Sequence, residues 1–562
     1  MDWRNNKYGY PIPVSGYSDQ PYAVKTEDGA WLLTVTTGSG AEGASGQHVV
    51  SVRSKDHGKT WEEVRDVSPA DAPESSYSVL YKTDYGRVYC FYNYNADDLR
   101  AVRAENPPFR DGLCRRVDTQ GHFVFRYTDD GGRSWSNKWY DVPMRRFAVD
   151  RMNPYGGELL FFWNVGKPFS YAGGAYVPIY KIRCFGEGFM RYSEGALLHC
   201  ANINTERDPE KLVWETLPDR EEGIHCPREQ SIISEEHSYA VLSDGSIFCV
   251  FRTTAGHPYC TYSRDGAHTF SAPEPLTYSN GRPVKHPRAA NFIWKCENGK
   301  YLYWFHNHGG NGYDDRNPAW LCGAVEYPAE DGLRLAFSQP LPVLYDDDPV
   351  IRMSYPDLVE DGGEYYLTET QKNLARVHPL DRAFVESLWT QPEFRMPGTE
   401  PRDIPIKDRM VPLKPFTVSD YTMPDGRSKS TEYCFTLRFS LDCAQPSQTL
   451  FSTVQTDRGI RIVWDAEEKC LTLYMSDGQN SACFSCDDIL LSGPGVHRIA
   501  CAFDGGARCV YFSVDGIFCD GGKKRQFGFG RFSPYFRSAA GSDVPGVNRL
   551  PDMVFREGIS LY

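Results

Sequence analysis

The 562-residue chain has no run of 18 or more apolar residues, so it offers no membrane-spanning helix. It also lacks an amphipathic helical pattern of useful length, which argues against a helical bundle. Positive charge is not in excess: 61 Lys and Arg face 74 Asp and Glu, a net charge of -13. No general attraction to nucleic acid or an anionic bilayer follows from that balance. The opening Met1-Asp2-Trp3-Arg4-Asn5-Asn6-Lys7 contains no apolar signal core. It leads us to expect a cytoplasmic chain as written, or a secreted or periplasmic one if a signal has been removed. Only one C-x-x-C occurs among 17 cysteines, Cys483 to Cys486, without a second pair or a nearby histidine. That spacing does not make a structural zinc site, and scattered reduced thiols are the simpler reading.

Aromatic residues make up 14% of the chain, and 50 Gly and 38 Pro supply turns, the composition of an all-β protein. The length suits two or three domains. A turn with Gly followed by an aromatic-rich strand recurs at Asp28-Gly29, Tyr85-Gly86, Gly156-Gly157, Asp244-Gly245, Asn298-Gly299 and Asp361-Gly362. Asp-Gly and Asn-Gly accept the positive φ of tight hairpins. Six such turns, roughly 67 residues apart, predict six four-stranded sheets around an axis: a six-bladed β-propeller.

A sharper repeat is S/T-x-D-x-G-x-S/T-W, found at Ser54 to Trp61 and Thr128 to Trp135, with a degenerate copy at Ser263 to Phe270. Its side chains are suited to stapling a hairpin. The repeat resembles the Asp-box of the sialidase (neuraminidase) superfamily, a motif that argues fold better than function. The resemblance covers about residues 15–390, within a propeller expected over 1–395. A Pro-rich, charged stretch at 396–414 reads as a linker. Alternating strands from 415 to 562, notably His497 to Gly516, resemble a laminin-G/concanavalin-like β-sandwich.

The likeness to sialidases extends to residues suited to chemistry. Glu236 precedes a hairpin and Arg252 follows it at the family spacing, resembling the Glu that activates the nucleophile and one arginine of a carboxylate-binding triad. Arg316 resembles a second triad arginine. Tyr355 resembles the nucleophile, and Glu369 the trailing Glu that orients an arginine. A planar guanidinium binds a sugar carboxylate bidentately. Beside that carboxylate a neutral tyrosine hydroxyl is a better nucleophile than a repelling carboxylate, and sialidases are the recorded tyrosine exception among glycosidases.

Two positions depart from the family. Its first blade begins Arg-Ile-Pro, where this chain reads Asp19-Gln20-Pro21-Tyr22, an acid replacing an arginine. Arg352 and Arg288 are candidates for the third guanidinium. The loop that would supply the general acid contains Glu42 and His48, with Asp19 a further candidate. His306 and His308 read as solvent-facing rim residues rather than a metal site.

The resemblance therefore implies an exo-acting, retaining hydrolase that removes a terminal sialic acid or related acidic sugar from a glycan without a cofactor. Two alternatives stand beside it. One is a propeller glycosidase for another sugar, such as a uronic acid-linked deoxysugar, with Asp19 on a sugar hydroxyl and His48 central. The other is a non-catalytic glycan-binding protein.

Overall fold

The computed structural model describes residues 2–14, 16–391, 434–533 and 536, with short pieces of 404–430 and 544–561. The chain is all-β, and its N-terminal part forms six successive antiparallel sheets of four or five strands. Their innermost strands are Tyr17–Lys25, Ser75–Lys82, Phe162–Trp163, Glu235–Val241, Phe292–Lys295 and Ser354–Asp361. The sixth sheet takes its outer strand from the start of the chain, Tyr10 pairing with Val377. Five of the six Gly turns join an innermost strand to its neighbour. The sixth does not: Gly156 and Gly157 follow the short helix Ala148–Arg151, where the Asn153 carboxamide oxygen accepts from the amides of Tyr155 and Gly157. Turn composition alone could not separate a hairpin from a side-chain-bonded loop.

Innermost strands of different sheets meet one another. Gln20 Nε2 donates to Asn164 O at 3.0 Å and Tyr22 Oη to Val165 O at 2.8 Å, tying the first strand to the third. The Ala23 amide donates to Asp357 Oδ2 at 2.9 Å, tying it to the sixth. Strands near this centre are buried on both faces, so they read as apolar and aromatic runs rather than alternating ones.

The three S/T-x-D turns make one set of bonds. In the first, Ser54 Oγ accepts from Gly58 N at 2.8 Å, and Asp56 accepts from Thr60 N at 2.8 Å and Thr60 Oγ1 at 2.6 Å. Thr128, Asp130 and Ser134 repeat this, as do Ser263, Asp265 and Thr269. The tryptophans then reach the preceding sheet: Trp135 Nε1 donates to Ser51 Oγ and Trp61 Nε1 to Pro11 O. Phe270 in the degenerate copy has no donor for such a bond.

After residue 433 two further sheets face each other across a separate core of Phe435, Leu437, Ile462, Trp464, Leu473 and Phe512. Most of the expected linker 396–414 lies outside the described residues. Within it, Ile404–Pro405 pairs with Val554–Glu557 at the edge of one C-terminal sheet, and Met410–Val411 pairs with Val544–Pro545 in a separate two-stranded sheet. Trp320 joins the two parts, its ring against Tyr511, Phe518 and Phe529. Among the described residues no helix is long and apolar enough to cross a membrane.

Candidate active site

Four of the six innermost strands carry the same defect. Their pairing slips between Asp19 and Tyr22, Ser76 and Val79, Glu235 and Ser238, and Ser354 and Asp357. Within each slip one residue has positive φ: Gln20 (54°), Tyr77 (59°), Glu236 (54°) and Tyr355 (46°). A β-bulge re-aims its side chain, and non-glycine residues held there cost about 1–3 kcal/mol each. Such strain persists only where the surrounding structure enforces it. Here it turns Glu236 and Tyr355 from separate sheets toward each other.

Tyr355 Oη donates to Glu236 Oε1 at 3.0 Å, both residues being buried. Arg252 Nη1 lies 2.7 Å from Glu236 Oε2, while its Nη2 lies 2.8 Å from Glu235 Oε2. Arg288 reaches Glu235 through Nη2 at 2.6 Å and Nε at 3.1 Å. Among the described residues Arg316 donates to uncharged oxygens, Tyr313 O at 2.9 Å and Ser354 Oγ at 2.8 Å. The Tyr313 ring covers the cluster, 4.8 Å from the Arg288 guanidinium and 5.7 Å from that of Arg252.

Across the Tyr355 ring stands a second cluster. Lys372 Nζ lies 4.2 Å from the ring centroid, 2.7 Å from Asp19 Oδ2 and 3.2 Å from Glu42 Oε2. Tyr17 Oη donates to Asp19 Oδ2 at 2.7 Å. Arg116 bridges Glu42 at 3.4 Å and Asp118, and donates to Tyr77 Oη at 2.6 Å.

Electrostatics separate these acids. Burial pushes Glu236 above the usual carboxylate range, outweighing Arg252; the charge of Glu235 adds to the rise. Burial also opposes ionisation of Glu235, but Arg288 and Arg252 overcome it and hold that carboxyl low. Asp19 is raised, by burial first, with Lys372 opposing and Glu42 reinforcing. Glu42 goes the other way, because Lys372 and Arg116 together outweigh its burial. Tyr355 is well above 10, through burial and then Glu236, with Arg252 opposing. A carboxyl pushed up beside one pushed down is the usual mark of divided acid and base roles.

No protein-family model matches the chain, and no curated protein is similar to it. Solved structures do align with it. A protein of unknown function from Dyadobacter fermentans aligns at 15% identity and a TM-score of 0.45, over 66% of this chain and 97% of that one. The intramolecular trans-sialidase of Ruminococcus gnavus aligns at 14% and 0.45, over 68% and 97%. The sialidase of Trypanosoma rangeli aligns at 11% and 0.43, over 97% and 92%.

Of the residues singled out from the sequence, Tyr355, Glu236, Arg252, Arg316, Arg288, Asp19 and Glu42 gather here. Gln20 sits behind them at the first bulge, its side chain bonded to Asn164. His48 does not join them: it opens an outer strand, with Nε2 3.4 Å from Asp66. Arg352 is exposed, while Arg288 is deeply buried and shares Glu235 with Arg252. Glu369 faces Arg376 in the strand register but makes no ion pair with an arginine among the described residues, and instead accepts from His378 Nε2 at 3.2 Å. His306 and His308 are buried, not at a rim, with His306 stacked on His286 and His308 on Phe527.

Glu235, Lys372, Arg116, Asp118, Tyr77 and Tyr313 were not found from sequence. A signal existed for some of them, a doubled Glu235-Glu236 and a Ser before three of the four bulges. As for metals, Asp2, Cys434 and Asp504 lie within 4.8 Å of one another. Arg4 already bridges both carboxylates at 2.6 and 2.7 Å, supplying the positive charge an ion would bring. Cys483 is exposed and Cys486 buried on one strand, an arrangement unsuited to joint ligation.

Proposed function

We propose that the six sheets are the blades of a propeller, followed by a laminin-G-like sandwich, and that the chain is a retaining exo-glycosidase for a terminal acidic sugar. The observation that carries this reading is the 3.0 Å bond from Tyr355 to Glu236 beside the Arg252 and Arg316 guanidinia. Tyr355 Oη attacks the anomeric carbon, and its proton passes to Glu236 as the bond forms. The phenol's high pKa requires that coupling, and the raised pKa of Glu236 makes it a competent acceptor. Arg316, whose donors meet neutral oxygens among the described residues, takes the substrate carboxylate. Asp19 rather than Glu42 is assigned as general acid, since its environment favours the protonated form. It protonates the leaving oxygen, and later takes a proton from the water that cleaves the tyrosyl intermediate.

A second reading changes the sugar. Arg252 is spent on two glutamates and Arg288 on one, while Asp19, which the sequence resemblance aligns with the family's first arginine, is paired with Lys372. Such a balance favours a smaller acidic sugar, such as a uronic acid, whose carboxylate a single guanidinium satisfies.

Fluorogenic sialosides and uronides, assayed with wild type and Tyr355→Phe, test both. We expect release from one class and a loss of at least about 10³-fold in the variant. Cleavage of uronides alone selects the second reading. Undiminished turnover by Tyr355→Phe would remove the nucleophile from the scheme.

A further inference from the structure

Arg316 and Tyr313 do not stand on a strand. They belong to the connection 306–318 between Tyr301–Phe305 and Ala319–Ala329 of the fifth sheet. One side of this connection faces the site. The other, with Asn311, Gly312, Asp314 and Asp315, walls a cleft of 1380 Å³ between the fourth and fifth sheets and the C-terminal part. The end of the connection is held within the N-terminal part, where Asn317 Nδ2 donates to Asp346 O at 3.0 Å and Asp348 O at 2.9 Å, while residues 309–315 are half-buried or exposed.

Residues 526–531, from the C-terminal part, add a second set of contacts. The Gly309 amide donates to Gln526 O at 2.7 Å, and the Gly528 amide to Asn307 O at 3.2 Å. The Phe527 ring stacks on His308, centroids 5.0 Å apart. Arg531 donates through Nη2 to Asn317 O and lies 3.9 Å from Asp315 Oδ1, which brackets Arg316 on both sides in sequence. The approach is close enough that a Cβ on Gly528 would lie 2.6 Å from Asn307 Oδ1, and one on Gly310 2.7 Å from Gln526 Nε2. From Arg316 the chain of bonds runs on to Ser354, next to Tyr355.

We propose that the 526–531 segment is a positioning clamp for the site, Arg531 and Phe527 fixing the loop that presents Arg316 and Tyr313. The C-terminal sheets thus complete the binding of the sugar carboxylate without touching the sugar. The role assigned to Arg316 rests on the glycosidase reading above, whereas the clamp itself does not.

The experiment uses the full chain with Arg531→Ala, Arg531→Lys and Phe527→Ala. Hydrogen exchange is followed over 307–317, alongside thermal melting and steady-state kinetics on whichever glycoside the wild type cleaves. Arg531→Ala should speed exchange of the 309–316 amides about tenfold while the strands of the sixth sheet keep their protection. KM should rise about tenfold with kcat changed much less, and Arg531→Lys should recover part of both effects. If Arg531→Ala fails to fold, Phe527→Ala carries the same expectation with a smaller effect. Unchanged exchange in a folded variant would overturn the clamp whatever the activity. Faster exchange with an unchanged KM would overturn its positioning role. If the wild type cleaves none of the glycosides, the glycosidase reading fails and exchange still decides the clamp.

Discussion

On one side of the Tyr355 ring, two guanidinia share Glu235, a carboxylate wholly removed from water; on the other, one ammonium is shared between Asp19 and Glu42. The first half has an excess of cations around its central acid, and Glu235 stays ionised. The second has an excess of acids around its central cation, and its acids part company, Asp19 raised and Glu42 lowered. Exposure separates the halves only in part: the Glu235 side chain is 0% exposed and that of Asp19 2%, against 32% for Glu42 and 25% for Lys372. A dry, cation-rich half is a rigid scaffold for the phenol. The acid-rich half, open to water at Glu42 and Lys372, holds the proton donor of the proposed scheme.

Removing the centre of each half should therefore have unequal effects. Glu235→Ala strips the shared counter-charge from Arg252 and Arg288 together. Breaking a buried pair from one side costs about 3–5 kcal/mol, because the remaining charge stays buried without compensation. We expect the largest fall in melting temperature here. Lys372→Met leaves two carboxylates that can still bond Arg116, Tyr17 and water. A loss of about 1–3 kcal/mol is expected, the worth of charge-assisted hydrogen bonds at a partly wetted site. Equal losses in the two variants, measured by thermal or urea unfolding, would erase the distinction between scaffold and proton store.

The two halves were also unequally legible in the sequence. Glu236, Arg252 and Tyr355 flank hairpin turns at the spacing of the family resemblance, which locates them, while Arg316, in the 306–318 connection, is reached through the resemblance alone. Lys372 and Arg116 sit in loops, whose course no periodicity encodes, and they reach the site only through folding of distant sheets. His48 misled because it neighbours Glu42 in sequence; the strand His48–Ser54 starts there and carries it to Asp66 instead. Glu369 misled for a related reason: Arg376 stands opposite it in the strand register, yet its carboxylate bonds His378. The six-sheet organisation was readable from the Gly turns at five places of six, failing where Asn153 builds a turn from its own side chain.

The smallest expected effect is also the most diagnostic, because its sign differs between neighbours. Glu42 has a folded pKa below its ordinary 4.5, so it contributes stability that is fully present above 4.5 and fades as pH falls toward the folded value. Glu42→Gln should melt lower than wild type near neutrality, with the gap narrowing steadily below pH 4.5. Asp19 has a folded pKa above its ordinary 3.8, so its ionisation opposes folding once pH exceeds 3.8 and does not matter below it. Asp19→Asn should melt no lower than wild type near neutrality, and any gain should vanish in acid. If instead both variants lose stability near neutrality and recover together in acid, both carboxyls are ordinary ion-pair partners of Lys372. The assignment of Asp19 as the proton donor would then have no electrostatic basis.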